Sequence, residues 1–334
     1  MKNKGNGTII FENKPAVLSF SAVVGKKEGD GPYGKYFDQV EEDAYFGQET
    51  WEKAESENLR RSVVCTLKKG GFKAEDIDFV ISGDLLNQCI SSGYALRRLE
   101  IPFFGVYGAC STMAESMVIG SIIHSGGGGE KILCATSSNF CSAERQFRTP
   151  LEYGGQRTPN AQWTVTGSGS VVLGKSDSGP FVEAVTCGKI VDMGIKDIGN
   201  MGAAMAPAFV DTIKIHLDAL GRDMSYYDLV LSGDLGIVGK SIAEELFERE
   251  NIKTYGKYND CGVMIFDKEK QDTHAGGSGC GCSASILCGY VLPEMKKGNL
   301  KNVLFAATGA LMSPTSTMQG ESIPSISHAI SLEA

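Results

Sequence analysis

One octapeptide occurs twice in this chain. Asp78-Phe-Val-Ile-Ser-Gly-Asp-Leu85 and Asp228-Leu-Val-Leu-Ser-Gly-Asp-Leu235 agree at six of eight positions. Self-similarity at so long a spacing marks a duplicated structural unit. Each copy is a short apolar, β-rich run closed by a turn, the pattern of a buried parallel strand. Each follows a polar helical segment (56–70 and 211–220) and a short acidic turn. The echo continues downstream. Gly108-Ala-Cys-Ser111 opens an apolar helical run that ends near Gly126, and a strand follows at 131–135. Gly281-Cys-Ser283 opens a second such run, which ends at Gly298 before a strand at 302–306. Helix, strand, loop, buried helix, strand, run through twice, predicts an α/β fold of two duplicated halves. The halves are expected at 1–179 and 180–334, divided near Ser178-Gly-Pro180, with a polar, aromatic loop at 139–163 inserted in the first.

Composition narrows the function classes. Of 334 residues 42% are hydrophobic, enough for a sizeable core. The 32 Lys and Arg against 40 Asp and Glu leave a net charge of −8, which repels a nucleic-acid duplex, so no nucleic-acid partner is expected. No run reaches the roughly 18 consecutive apolar residues of a membrane span. The first residues carry no apolar stretch of the signal-peptide kind, and ten cysteines in such a chain read as thiols. The expectation is an intracellular protein for which a peripheral seat on a membrane partner stays open.

Cys110 is the first candidate for chemistry. Small neighbours permit a sharp turn that presents its side chain at a helix N-terminus, where the dipole and free amides favour a thiolate; a buried core cysteine is the alternative. His274 stands before Ala-Gly-Gly-Ser-Gly279 and can accept a proton or donate to an oxyanion, or simply precede a surface turn. Asp84 and Asp234 follow the C-terminal ends of two strands, the edge where open α/β sheets bind ligands, although Asp also serves there as a turn cap. Arg145, Arg148 and Arg157 in the inserted loop can clamp carboxylates or pair with nearby acids. Cys280-Gly-Cys282 with His274 offers at most three ligands at an unusual spacing, so no metal site is expected. No phosphate-binding glycine motif stands at a strand–helix junction, so ATP and NAD lack support.

With the duplicated halves and Gly-Ala-Cys-Ser at a helix start, the sequence resembles the thiolase superfamily. Gly167-Ser-Gly169 before a strand and His274-Ala-Gly-Gly-Ser-Gly, similar to a His-x-x-Gly-x-x-Gly loop, carry the likeness along the chain. The resemblance implies a five-layered αβαβα fold, usually dimeric. Where condensing members carry a Pro-His-Gln-Ala-Asn-like motif, this chain reads Ser232-Gly-Asp-Leu-Gly236, and no second Cys-x-Gly-Gly-Gly-like motif occurs. A carboxylate at Asp234 would repel a developing enolate. The run Ser142-Ala-Glu-Arg-Gln-Phe-Arg-Thr-Pro150, Ala161-Gln-Trp-Thr-Val-Thr-Gly167 and Met318-Gln-Gly-Glu-Ser-Ile-Pro324 further resemble the stage V sporulation protein AD family. That likeness implies non-catalytic binding of dipicolinic acid for uptake into the developing spore, and its release in germination. It implies work beside integral membrane proteins, peripheral to the spore inner membrane, with no cofactor except calcium accompanying the diacid. Cys110, Ser111, Asp84, Asp234, His274 and the three arginines become the expected ligand-binding set. The competing expectation is an active acyltransferase that uses Cys110 and His274.

Overall fold

The computed structural model describes residues 1–147 and 157–334. Arg148 and Tyr153 lie outside them. Ten strands follow one another in the order Tyr258–Asp260, Leu229–Ser232, Asn302–Ala310, Ser325–Glu333, Phe181–Cys187, Ala16–Gly25, Gly167–Gly174, Lys131–Ser138, Phe79–Gly83 and Phe103–Gly105. The series reads the same from either end. The two repeated strands, Phe79–Gly83 and Leu229–Ser232, each run parallel to both neighbours. Next inward, each half has an antiparallel pair, Lys131–Ser138 with Gly167–Gly174 and Asn302–Ala310 with Ser325–Glu333. The halves meet where Phe181 pairs with Ala16 and where the short strand Thr8–Ile10 runs antiparallel to Phe181–Cys187, with Trp163–Thr164 beside Gly277–Ser278 as a further link.

Between the two five-stranded halves lie the apolar helices that the sequence marks. Thr112–Ser125 packs on strands of both halves. Its counterpart begins as Cys280–Ile286, passes through a π-helical turn at Leu287–Val291 and ends as Leu292–Lys296. Helices buried on every side must be apolar all round, and close approach demands small residues: a Cβ at Gly120 would sit 2.8 Å from Cys134 Sγ. The outer faces are covered by Trp51–Gly70 on one half and Met201–Leu220 on the other. Both span 20 residues and share their punctuation. Thr50 and Asn200 accept backbone N–H bonds at the N-termini, and Gly71 and Gly221 turn left-handed at the C-termini. The result is helix, sheet, helix, sheet, helix, the expected five layers.

The layer under Trp51–Gly70 is not wholly apolar. Ser21, Ser62, Thr66 and Ser170 are fully buried, with hydroxyl contacts of 2.6–2.8 Å joining the helix to the strands. Each hydroxyl is partnered, so the network fixes helix register at little desolvation cost.

The seam between halves is closest where Gly309 meets the turn before Cys110. A Cβ on Gly309 would lie 2.0 Å from the Gly108 carbonyl oxygen, and backbone cannot give as a flexible side chain can. Gly309→Ala is therefore expected to destabilise the protein by about 3 kcal/mol, measured by denaturant unfolding. A loss below about 1 kcal/mol would show that the seam yields.

Candidate functional site

The edge strand Phe103–Gly105 leads into a one-turn helix, Ala109–Ser111, and directly into the central helix at Thr112. Ala109 takes φ +51°, a left-handed conformation that reverses the chain sharply and turns Cys110 toward the seam. The Ser111 hydroxyl donates to the Gly108 carbonyl at 2.7 Å and the Thr112 hydroxyl to the Ala109 carbonyl at 2.6 Å. Ser111, expected as a ligand-binding residue, instead braces the turn.

Cys110 forms part of the wall of a cavity of about 410 Å³ at the seam. Leu85, Tyr107, Ala143 and Phe147 come from the first half and Met201, Leu311 and Met312 from the second. Polar groups on the wall are Gln162, Thr164, Ser278, Ser313 and Ser316, with the phenol of Tyr107 and one acid, Glu144. No Lys or Arg among the described residues lines it.

Behind Cys110 stands Asp234, fully buried at the turn after its strand. Oδ2 accepts the Gly279 N–H at 2.7 Å, while Oδ1 is buried without a hydrogen-bond partner. Burial pushes its carboxyl up to about 7, with Asp260 adding repulsion. Asp260 receives the N–H groups of Leu235 and Gly236 and the Ser232 hydroxyl, and is pushed up to about 6. The Cys110 thiol is raised well above its ordinary value, first by burial, then by the charge of Asp234 and the thiol of Cys280. The thiolate expected from the helix N-terminus is not formed here, because desolvation and a carboxylate outweigh the dipole.

Asp84 and Asp234 occupy matching turns with different surroundings. Asp84 accepts from the Leu86 N–H at 2.9 Å and from the Ser92 N–H and hydroxyl at 2.8 and 2.7 Å. Both its oxygens are engaged inside the fold, so it caps a turn and does not line the cavity. His274 is also absent from the wall. Its Nδ1 lies 2.8 Å from the Thr158 carbonyl and its Nε2 3.0 Å from Asp272. Arg145 pairs with Glu52 at 3.0 Å and Arg157 with Asp272 at 3.2 Å, both away from the cavity. Of the aromatic residues in the 139–163 segment, Phe147 lines the cavity, but Phe140 stacks on Trp163 at 3.7 Å.

All four histidines are described and none reaches the cavity. His124 faces the Gly129 carbonyl, His216 is buried between Thr186 and Tyr227 and pushed down to about 3, and His328 is buried in a strand and pushed down to about 4. Among the described residues no three His, Cys, Asp or Glu are grouped to hold a metal ion. The residues the sequence reading missed are the neutral donors. Gln162 ties the seam, donating to the Asp234 and Gly277 carbonyls at 2.8 and 2.6 Å. Alternation along Gln162-Trp-Thr164 is the one local signal that places Gln162 and Thr164 on a common side.

Two sheets enclosing a helix pair, with a cysteine turned into the seam at the head of one helix, define a thiolase-like protein. The solved structures agree. The chain superposes on 3-oxoacyl-[acyl-carrier-protein] synthase III from Aquifex aeolicus with a TM-score of 0.59 at 12% identity, covering 96% of this chain and 100% of that one. Human mitochondrial 3-ketoacyl-CoA thiolase gives 0.60 at 12% identity, with 98% and 99% covered. At such identities the likeness is one of fold. Within that class the chain belongs to the stage V sporulation protein AD family, whose model matches residues 5–333. It is 42% identical over 333 residues to stage V sporulation protein AD of Bacillus subtilis (strain 168), covering 100% of this chain and 98% of that protein.

Proposed function

We propose that this sporulation protein binds dipicolinic acid in the seam cavity, without catalysis, for uptake into the developing spore and release in germination. The observation that carries the non-catalytic reading is the state of Cys110. Its thiol is buried beside a carboxyl, is held protonated at neutral pH, and has no histidine within the cavity to take its proton. A condensing or acyl-transfer step draws on a thiolate and on donors for the developing oxyanion; burial opposes the first, and the charged form of Asp234 opposes the build-up of negative charge beside it.

The wall suits a small planar diacid. Leu85, Phe147 and Met312 provide apolar surface for a ring, while the Ser278 and Thr164 hydroxyls can donate to carboxylate oxygens; those of Ser313 and Ser316 are spent on the cap of the helix Pro314–Met318. With no cation among the described wall residues, a bare dianion would be poorly compensated. The diacid therefore enters with its charge already neutralised, as the calcium chelate. Asp84 and Asp234, of the expected ligand-binding set, do not reach the cavity and take no part in holding that calcium.

Calorimetric titration with dipicolinate, with and without Ca²⁺, tests this. Saturable binding that tightens with Ca²⁺ is expected, and no heat with either form would sink the reading. Mass spectrometry after incubation with acyl-coenzyme A tests the enzymatic alternative, since a persistent adduct on Cys110 would revive it.

No helix among the described residues is long and apolar enough to cross a membrane; in this reading separate integral membrane proteins carry the diacid across. The protein acts beside them, peripheral to the spore inner membrane. A second copy of the chain pairs along the edge strand Phe103–Gly105. Among the described residues that strand has no neighbour on its outer side, and it exposes Phe103 and Phe104. Antiparallel self-pairing about a two-fold axis covers these rings. Phe104→Asp is expected to turn a dimer into a monomer in light-scattering chromatography; a monomeric parent protein would remove the proposal.

A further inference from the structure

His274 and Arg157, absent from the cavity, belong to a separate cluster on the other side of the extended run 162–164. Gln162 and Thr164 face the cavity, so the Trp163 ring faces away from it. Phe140 lies parallel to that ring at 3.7 Å and 8° and fills one face. Two cations share the other: Lys27 Nζ is 3.7 Å and Arg157 Cζ 4.7 Å from the ring centre. Like charges held this close repel, and the Lys27 ammonium is lowered by burial and then by Arg157.

What faces them does not balance them. Arg157 Nη2 donates to the Asp272 carbonyl at 3.0 Å and lies 3.2 Å from its carboxylate, which is also shared with His274. Lys27 reaches only the Asp272 backbone carbonyl, at 3.3 Å. Glu28 is buried elsewhere, on the Thr166 N–H, and is pushed up to about 7 by its burial; Lys26 is committed to Asp30 and Glu42. One carboxylate, 77% exposed, therefore serves two full cations and a histidine. Arg157 Nη1 is buried and has no hydrogen-bond partner among the described residues, which leaves the guanidinium incompletely satisfied.

We propose that Lys27 and Arg157, held over Trp163, form an oxyanion site that takes a phosphate group, separate from the cavity. Two positive charges on one ring face, opposed by a single exposed carboxylate, suit a tetrahedral group bearing several oxygens that takes the place of Asp272. Both faces of Trp163 are already occupied, so the ligand is recognised by its charge and not by ring stacking. The group can be a free phosphate or a phospholipid headgroup, which share this chemistry.

The chain has two tryptophans, Trp51 and Trp163, so a Trp51→Phe background makes Trp163 its own reporter. Inorganic phosphate is titrated at constant ionic strength with chloride, and sedimentation is followed with vesicles of phosphatidylglycerol or of phosphatidylcholine alone. A saturable change in Trp163 emission is expected at millimolar phosphate, weakened about tenfold by Lys27→Gln or Arg157→Gln. Co-sedimentation with the anionic vesicles, lost in the same variants, assigns the site to a headgroup; phosphate binding without co-sedimentation assigns it to a free phosphate. No saturable change up to about 50 mM phosphate, together with no selective co-sedimentation, overturns the proposal on the parent protein itself. A response that both variants retain does the same.

Discussion

Asp234→Asn is expected to stabilise the protein at pH 8 by about 2 kcal/mol and to leave it nearly unchanged at pH 4. In the folded protein the carboxyl sits at about 7 against an ordinary 3.8, because it is buried. Between those values the native state keeps a proton that the unfolded chain has released. Stability therefore falls as pH rises from about 4 to 7 and is flat above. The full difference corresponds to ~4 kcal/mol; relaxation around a buried acid and the altered Gly279 bond roughly halve it. The amide carries no charge, so the gap between the two proteins opens through that window. Asp260 at about 6 and Glu28 at about 7 act in the same direction in both. Glu183, held below the ordinary value by the Arg222 fork despite half-burial, acts in reverse and is spent by about pH 5. The parent protein should therefore melt highest near pH 5. The same substitution removes the charge that raises the Cys110 thiol, so alkylation of Cys110 should quicken about tenfold at pH 8. Urea unfolding at both pH values and a timed iodoacetamide reaction check the two halves; equal stabilisation at pH 4 and pH 8 would refute the ionisation argument.

Ala143→Trp is expected to weaken dipicolinate binding by at least about 100-fold. Ala143 is nearly buried on the short helix Phe140–Phe147 and contributes its methyl group to the cavity wall. An indole there takes up much of a volume of about 410 Å³ that a planar diacid must share. It grows into open space and not into packed core, so the melting temperature should move little. Ser278→Ala separates shape from hydrogen bonding, because removing one hydroxyl donor should weaken binding by about tenfold while leaving the volume intact. Unaltered calorimetric affinity in both variants would place the ligand elsewhere.

The architecture was legible because it rests on patterns local to the chain. Two copies of Ser-Gly-Asp after apolar runs became equivalent strands, and Gly108-Ala-Cys-Ser111 became the turn that heads a central helix. The site was legible only in part, since residue type does not reveal which donors a side chain will meet. Asp84 and Asp234 are the same letter in the same turn, yet Ser92 and Leu86 engage one while the other keeps a bare oxygen beside a thiol. His274 looked like a base because a glycine-rich loop followed it; the loop instead delivers it to Asp272. Three arginines in one loop fit a carboxylate clamp and surface ion pairs equally well in sequence, and Arg145 and Arg157 take the second course, on Glu52 and Asp272. Ser278, Ser313 and Ser316 gave no signal, because hydroxyls scattered over distant segments converge only when the halves come together.

Where Gly309 lies against Gly108, main chain touches main chain with no side chain between them to act as a cushion. A joint of that kind does not slide or swing open by degrees. The cavity wall is expected to be stiff at that point, so that a ligand meets it there as it stands. Capture should then be a single fast encounter with no slower tightening step behind it, and discrimination should be set by shape at entry. For the diacid proposed above, such a wall has an advantage in release: no closed state has to be undone.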